Sequence, residues 1–264
     1  MWTSETRPAS SRPLVGQVAL VTGAAQGMGA SHARRLAARG AVVAVNDRGD
    51  SAELQALAAE VGGVTAPGDV SDPEAVRSLV ASVGQQVGRP VSVLVANHAY
   101  MTMAPLLEHD PNDWWRIVDT NLTGTFHLVQ AVLPGMREGG FGRIVVITSE
   151  WGVTGWPGAT AYAASKAGLI SLVKTLGREL APEGIVVNAI APGVIDTPQL
   201  SVDAQAAGVD LDEIRRRYAA QIPMGRIGEP QEVSEAVALL TDPRLGSMVG
   251  QTLQVNGGST RGRV

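Results

Sequence analysis

Seven short apolar runs, separated by stretches of helical character, constrain the fold of this chain more than any other feature. Each run is rich in β-branched residues and lacks a clear alternation of apolar and polar positions, which is typical of parallel strands covered on both faces. Strands that alternate with helices predict right-handed βαβ units and a doubly wound α/β sheet. The predicted strands are 18–21, 42–45, 64–66, 91–96, 144–148, 185–190 and 252–255.

The length of 264 residues suits one α/β domain, and a hydrophobic content of 45% is enough for a sizeable core. Residues 1–13 are polar and proline-bearing, without the apolar segment of a signal peptide, so we predict a flexible leader before a single domain over 14–264. No apolar run approaches the ~18 residues that a membrane span needs. The long irregular stretch 198–230, with a helix expected over 209–221, is typical of a functional loop.

Charge and residue types exclude several function classes. The net charge is −4, and the longest basic run, 215–217, is more typical of the solvated face of a helix than of a nucleic-acid site. The absence of cysteine excludes disulfides and thiolate chemistry and fits a reducing cytoplasm. No catalytic metal is expected, because the histidines show no metal-ligand spacing. They are His32, His98, His109 and His127.

The first predicted strand leads into a glycine-rich loop of pattern G-x-x-x-G-x-G and then into a helical stretch over 30–39. This order sets a helix N-terminus against a phosphate, and the glycines allow a tight turn and a close approach of the backbone. The second predicted strand ends in Asp47, near the spacing at which a carboxylate meets the hydroxyls of an adenosine ribose. The loop residues expected at a dinucleotide are Gly23, Gln26, Gly27, Met28 and Gly29.

Tyr162 and Lys166 lie on a predicted helix over 160–172, where positions i and i+4 share a face. A cation beside a phenol favours the phenolate, so we expect Lys166 to lower the pKa of Tyr162. Such a tyrosine can exchange a proton with an alcohol or a carbonyl near neutral pH. Ser149, at the end of the fifth predicted strand, is expected to hold the substrate oxygen beside it.

Taken together and in order, these motifs resemble the short-chain dehydrogenase/reductase family in its single-domain form, from about residue 14 to residue 259. Any one of the motifs is weak, but the ordered set is specific. The matching pieces are T-G-x-x-x-G-x-G at 22–29, Asp69-Val70, Asn121, Ser149, Tyr162-x-x-x-Lys166 and Pro192-Gly193-x-x-x-Thr197.

The resemblance implies a Rossmann-type, seven-stranded parallel sheet of order 3-2-1-4-5-6-7 with helices on both faces. It implies a catalytic tetrad of Asn121, Ser149, Tyr162 and Lys166, in which Asn121 holds a water that links Lys166 to solvent. Further cofactor contacts are expected from Asp69 near the adenine and from the turn 194–197 at the nicotinamide carboxamide. The remaining expected cofactor residues are Val70, Asn97, Tyr162, Lys166, Pro192, Gly193, Ile195 and Thr197.

Asp47 favours NAD over NADP, because its carboxylate accepts hydrogen bonds from a ribose diol and repels a 2′-phosphate. Relatives that prefer NADP usually carry a basic residue in the glycine loop, where this chain has Gln26. Arg48, which could turn toward a phosphate, is the one argument for NADP. The cofactor predicted is therefore NAD.

After the fourth strand most relatives read N-N-A-G, whereas this chain reads A-N-H-A over 96–99. The change alters the local loop, and a lone histidine such as His98 is more often a structural residue than a catalyst. Trp151 and Trp156 are expected to line the substrate pocket, with Tyr100 and Met103 on its far side. An aromatic wall with few charges suits an apolar cyclic or aromatic substrate.

The sequence therefore predicts an NAD-dependent oxidoreductase that acts on a secondary alcohol or its ketone. One alternative is a 3-oxoacyl thioester reductase, a class that usually takes NADPH and that Asp47 disfavours. Another is a non-catalytic dinucleotide-binding sensor, which an intact tetrad disfavours. A small-molecule substrate is the expected partner, without nucleic acid or membrane. A homo-oligomer, in this family most often a tetramer, is expected to pack through the helix that carries Trp114 and Trp115, one of them partly exposed.

Overall fold

A seven-stranded sheet in which every neighbouring pair runs parallel forms the centre of the molecule. This computed structural model describes residues 12–260, so residues 1–11 of the predicted leader lie outside the described residues. The order β3-β2-β1-β4-β5-β6-β7 confirms the predicted α/β class and topology. The strands are β1 Val18–Val21, β2 Val42–Val45, β3 Val64–Thr65, β4 Val93–Ala96, β5 Gly142–Ile147, β6 Ile185–Pro192 and β7 Thr252–Val255.

Helices cover both faces of this sheet. They are α1 Gly27–Ala38, α2 Ala52–Glu60, α3 Pro73–Val87, α4 Pro111–Val118, α5 Gly124–Gly139, α6 Trp151–Thr154, α7 Thr160–Leu180, α8 Gln199–Ala206, α9 Leu211–Ala219 and α10 Pro230–Leu240. A π-helical turn, Asp119–Thr123, joins α4 to α5, and a 3₁₀ turn, Ala181–Glu183, follows α7.

The buried strands divide their side chains between two apolar layers. In β1, Ala19 and Val21 face the layer beneath α1, α2 and α10, whereas Val18 and Leu20 face the layer beneath α3, α5 and α7. Successive side chains of a strand point to opposite faces, so a strand covered on both sides must be apolar throughout. This is the physical reason for the continuous apolar runs in the sequence.

The sequences Asp72-Pro73 and Asp110-Pro111, a capping acid followed by proline, predict two helix starts, and the capping geometry confirms both. The Asp72 carboxylate accepts a hydrogen bond of 2.8 Å from the amide of Glu74 at the start of α3. The Asp110 carboxylate accepts one of the same length from the amide of Asn112 at the start of α4. In both helices proline occupies the first turn, where its missing N–H leaves no hydrogen bond unmade.

Element boundaries differ from the predictions where tertiary contacts extend or shorten an element. β6 continues to Pro192, because Pro192 pairs with Val255 at the end of the ladder to β7. β4 begins only at Val93. In the predicted loop 198–230, α8 was not expected. It forms because Leu200 packs into a small apolar cluster with Ile222 and Ile227, which local sequence does not reveal.

Gly29 allows α1 to begin directly against the glycine loop. A Cβ atom at this position would lie 2.1 Å from the carbonyl oxygen of Gly23 and 2.8 Å from Nδ2 of Asn97. We expect Gly29→Ala to lower the free energy of unfolding by about 1–3 kcal/mol, the usual cost of overpacking. Gly246→Ala is the control, because a Cβ there meets nothing within 4 Å. Urea denaturation measures the free energy of unfolding of both variants. An equal loss of this free energy in the two variants would contradict the close packing at Gly29.

Candidate active site

Two adjoining cavities open at the carboxyl ends of β1 and β4, where the order of the sheet reverses. In open α/β sheets this reversal leaves a crevice between diverging connections, and ligands bind there. The larger cavity has a volume of about 710 Å³ and the smaller about 240 Å³. The two share a boundary formed by Met28, Ala99, Thr197 and Gln199.

Most of the predicted cofactor residues line one of these cavities. Tyr162, Gly193 and Ile195 line the smaller one. Gly29, Lys166 and Pro192 line neither, because they lie behind the cavity walls. Those on the larger cavity are Gly23, Gln26, Gly27, Met28, Asp47, Asp69, Val70, Asn97 and Thr197.

The first residues of α1, Gly27 and Met28, line the larger cavity, and no side chain caps this end of the helix. Gln26 makes no side-chain cap, and the first turn of α1 contains no acidic residue. Gly23 and Gly27 adopt positive φ angles of 60° and 56°, which side-chain-bearing residues rarely adopt. The positive end of the helix dipole is therefore available to an anion such as a phosphate.

Two carboxylates stand on the rim of the larger cavity. Asp47 accepts hydrogen bonds from the amides of Ala25, at 3.2 Å, and of Arg48, at 2.8 Å. Burial by itself raises the pKa of Asp69, but hydrogen bonds from the hydroxyl and amide of Ser71 bring it below its ordinary value. Asp69 therefore carries negative charge near neutral pH.

Tyr162 and Ser149 meet at the smaller cavity, as the sequence predicted. Both side chains line its wall, and Ser149 by itself lowers the pKa of the Tyr162 phenol. The sequence also predicted a lowered pKa for Tyr162, and here the structure differs. Burial raises the pKa of Tyr162 to about 12, because desolvation of the phenolate outweighs the hydrogen bond with Ser149.

Lys166 lies beneath Tyr162 and is only 1% exposed. Its ammonium donates a hydrogen bond of 2.8 Å to the carbonyl of Ile147 and lies 5.5 Å from the centre of the Tyr162 ring. Burial lowers the pKa of Lys166 to about 7. The lysine therefore holds a full positive charge only below neutral pH, which explains why it does not offset the burial of the tyrosine.

Asn121 is buried in the π-helical turn between α4 and α5. Its Oδ1 accepts a hydrogen bond from the amide of Tyr100 at 2.8 Å, and its Nδ2 donates to the carbonyl of Tyr100 and to the hydroxyl of Ser165. Ser165 in turn donates to the carbonyl of Tyr162. Asn121 thus ties the loop after β4 to the helix that carries Tyr162 and Lys166. Turns of this kind are frequent at functional sites.

His98 occupies a structural position in the altered loop 96–99. Its Nδ1 lies 2.7 Å from the hydroxyl of Thr22, and its Nε2 lies 3.1 Å from the carbonyl of Thr120. A carbonyl only accepts, so Nε2 carries the proton and Nδ1 accepts from Thr22. Burial lowers the pKa of His98 to about 3, so the ring is neutral. His98 therefore connects the end of β1 to the π-helical turn, as a satisfied structural histidine.

Of the aromatic residues predicted for the substrate pocket, Trp151 lines the smaller cavity together with Ser149 and Tyr162. Trp156 does not, because it stacks on Trp151 at 5.0 Å and supports it from outside. Tyr100 lines the larger cavity instead. The guanidinium carbon of Arg116 lies over the Tyr100 ring, 4.2 Å from its centre.

Sequence reasoning missed four polar residues of the smaller cavity, Glu150, Gln199, Asp203 and Tyr218. Glu150 is only 7% exposed, and burial raises its pKa, although the neighbouring Asn256 lowers it. Asp203 and Tyr218 reach the cavity from α8 and α9, and no local pattern in the sequence marks them. On the apolar side Met101, rather than Met103, lines the cavity.

The sheet, the reversal point and the divided cleft define a Rossmann-type α/β protein. A family model described as "Enoyl-(Acyl carrier protein) reductase" matches residues 23–260. The chain belongs to the short-chain dehydrogenase/reductase family, whose members are oxidoreductases that act on keto or hydroxy groups with nicotinamide cofactors.

Individual relatives agree with this assignment. The chain is 38% identical to the acetoacetyl-CoA reductase of Rhizobium meliloti, over 92% of this chain and 98% of the relative. It is 38% identical to the 3-oxoacyl-[acyl-carrier-protein] reductase of Vibrio cholerae, over 93% and 98%. The solved structure of a levodione reductase superimposes with a TM-score of 0.88 at 30% identity, covering 93% of this chain and 98% of that one.

Two features are absent from residues 12–260. No group of three or more acidic or histidine side chains there could hold a metal ion. No helix in that range has both the length and the apolar character needed to cross a membrane.

Two buried neutral histidines predict an acid-dependent loss of stability. Burial lowers the pKa of both His32 and His98 from 6.5 to about 3. Between these values the unfolded chain binds protons that the folded chain does not, so stability is complete above pH 6.5 and falls as the pH approaches 3. Each histidine is expected to contribute about 1.4 kcal/mol per pH unit within this window.

Chemical denaturation from pH 4 to pH 7 measures this dependence. His32→Gln and His98→Gln should each flatten the rise of stability with pH, whatever they do to its absolute value. His127→Gln is the matched control, because His127 is only partly buried. An unchanged slope in both buried-site variants would contradict the neutral assignment.

Proposed function

We propose that this protein is an NAD-dependent oxidoreductase that transfers hydride between nicotinamide and a compact secondary alcohol or its ketone. The observation that carries the proposal is that Tyr162 and Ser149 stand together on the wall of the smaller cavity, with Lys166 buried 5.5 Å from the centre of the Tyr162 ring. That cavity adjoins a larger one, of about 710 Å³, which has the features of a dinucleotide site.

The larger cavity fits a dinucleotide on chemical grounds. The uncapped N-terminus of α1 and the glycine loop suit the pyrophosphate, and Asp47 offers acceptors for ribose hydroxyls. Asp69 stands near the expected adenine end. The turn 194–197, whose Thr197 lies at the boundary with the smaller cavity, would hold the carboxamide. When bound, the nicotinamide supplies or accepts the hydride.

The residues of the smaller cavity would position the substrate and move its proton. Ser149 and Tyr162 would both hydrogen-bond the substrate oxygen and fix its orientation. In oxidation Tyr162 would take the hydroxyl proton, and in reduction it would donate a proton to the carbonyl oxygen. The alcohol thus loses one proton to Tyr162 and one hydride to the nicotinamide, and it becomes a ketone.

Because its pKa is about 12, Tyr162 is protonated near neutral pH in this structure and is poorly able to accept a proton. A positive charge close to the ring would lower this pKa, and an oxidised nicotinamide is such a charge. Lys166 would add to the effect when protonated, from its position 5.5 Å from the ring centre. Asn121 would act by holding the loop and the helix in register, in addition to the predicted role in a proton relay.

The substrate is proposed to be apolar and cyclic. Aliphatic and aromatic walls from Met28, Met101, Trp151 and Leu200 favour such a ligand. The volume of about 240 Å³ favours a small ring. The name of the structural neighbour, a levodione reductase, is consistent with the same class.

A second candidate is reduction of a 3-oxoacyl thioester. It is favoured by the names of two relatives at 38% identity, an acetoacetyl-CoA reductase and a 3-oxoacyl-[acyl-carrier-protein] reductase. Acetoacetyl-CoA with NADPH therefore belongs in the first activity panel. Turnover of this thioester far above that of any cyclic ketone would replace the primary proposal.

We also propose a role for the segment 198–230 and an oligomeric state. The segment 198–230 would act as a substrate-covering lid, because α8 and α9 supply Leu200, Asp203 and Tyr218 to the cavity wall. A cytoplasmic homotetramer would bury exposed aromatic surface such as Trp115, which is 60% exposed.

Removing the phenol hydroxyl tests the proton-transfer role. Tyr162→Phe should reduce kcat with NAD and a cyclic or aryl secondary alcohol by ~10²–10⁴-fold, the usual contribution of an acid or base. Formation of reduced nicotinamide is the measurement, and NAD affinity is the control that should stay near the wild-type value. Retention of most of the activity would remove Tyr162 from the mechanism.

The charge of Asp47 tests the choice of cofactor. Asp47→Asn keeps the size of the side chain but removes the charge that would repel a 2′-phosphate. The ratio of kcat/KM for NAD to that for NADP should fall by ~10-fold or more, as expected for loss of one close like-charge contact. Asp50→Asn, on the exposed surface after β2, is the control. A wild-type enzyme that already prefers NADP would overturn the assignment.

A further inference from the structure

The smaller cavity is acidic as well as apolar. Of the residues that line it, Glu150 and Asp203 are carboxylic, and none is a lysine, an arginine or a histidine. No ion pair among residues 12–260 includes either carboxyl group. The charge of the cavity is therefore uncompensated by the protein around it.

Asp203 has unused hydrogen-bonding capacity. Its Oδ2 accepts from the hydroxyl of Tyr218 at 3.2 Å, and its Oδ1 accepts from Nε2 of Gln199 at 3.1 Å. An ionised carboxylate has about four acceptor sites, so about two remain for a ligand. Tyr218 lines the same cavity and fixes the orientation of Asp203.

Glu150 adds an independent observation from the opposite wall. Its side chain is buried, it lines the cavity, and Oε2 has no hydrogen-bond partner in the structure. A buried polar atom without a partner is costly unless a ligand or a bound water satisfies it.

Neighbouring arginines do not neutralise the site. The basic run of α9 pairs with other acids, Arg215 with Asp196 and Arg216 and Arg217 with Glu213. None of these three arginines lines the smaller cavity. An anionic group in the cavity would therefore meet like charge without a compensating cation.

From this chemistry we infer that the substrate carries a hydrogen-bond donor, a hydroxyl or an ammonium group, which Asp203 receives. The same carboxylate excludes substrates with a carboxylate or phosphate on the ring. Tyr162 and Asp203 both line this cavity of about 240 Å³, so a ring whose oxygen binds at Tyr162 would present its substituent to the same enclosed space as Asp203. This inference rests on the proposed function, and it adds the substituent that the enzyme selects.

Three ring ketones of nearly equal shape test the selection of charge. They are 4-isopropylcyclohexanone, 4-(dimethylamino)cyclohexanone and 4-oxocyclohexanecarboxylate, which are neutral, cationic and anionic at pH 7. With the full-length wild type, kcat/KM for the anion should lie at least ~10-fold below that for the neutral ketone, and that for the cation ~10-fold above it, as one partly screened charge contact implies. The 4-hydroxy ketone should exceed the 4-methyl ketone by ~5-fold, the effect of one neutral hydrogen bond.

Asp203→Asn keeps the shape of the residue and removes its charge. Relative to kcat/KM for the neutral ketone, it should raise kcat/KM for the anionic ketone and lower it for the cationic one by ~10-fold each. Asp212→Asn, an exposed position in α9 that does not line the cavity, should change none of these ratios. Equal kcat/KM values for the three ketones in the wild type would overturn the inference. So would an Asp203→Asn variant in which kcat/KM changes by the same factor for all three ketones.

Failure of the inference and failure of the proposed function give different results. Turnover of the neutral ketone that depends on Tyr162, but without charge preference, removes only the role of Asp203. If no ketone is turned over with NAD or NADP, the proposed function fails for this class. Calorimetric binding of the same three ketones then decides the inference, and equal affinities for wild type and Asp203→Asn overturn it.

Discussion

Parallel strands that are covered on both faces impose the constraint on which the rest of this structure depends. Such strands must present apolar side chains to both faces of the sheet. Each connection between neighbouring parallel strands must cross back over the sheet, here through helices. The connections diverge where β1 lies beside β4, which opens the cleft. The polar ends of these strands are held by Thr22, whose hydroxyl contacts the amides of Asn97 and His98 and the ring of His98.

Burial also governs the chemistry of the site. The same exclusion of water raises the pKa of Tyr162, lowers that of Lys166 and keeps His98 neutral. Desolvation penalises each charged form, so burial favours the neutral forms of these three side chains. In such surroundings any charge that enters the cleft has a large effect. A catalytic site of this kind is therefore sensitive to the charge of its cofactor and its substrate.

The departure of the loop 96–99 from the common family pattern shows how one position can compensate for another. Ala96 lacks the amide that relatives place at the end of β4, yet the loop is anchored by three hydrogen bonds of His98 and by Nδ2 of Asn97, which donates to the carbonyls of Thr22 and Gly23. His98 reaches both β1 and the π-helical turn, so it links the floor of the cleft to the segment of Asn121. Both of its ring nitrogens are engaged in hydrogen bonds within the protein.

The sequence by itself determined the fold class, the strand order through its family resemblance, the helix caps at Asp72 and Asp110, and the meeting of Tyr162 with Ser149. These follow from local spacing, hydrophobic periodicity and ordered motifs. Only the tertiary structure decided the π-helical turn, the length of β6 and the cavity position of Asp203. It also decided the protonation behaviour of the site, where the expected direction for Tyr162 proved wrong. Burial and long-range contact set these properties, and neither is encoded in the spacing of neighbouring residues.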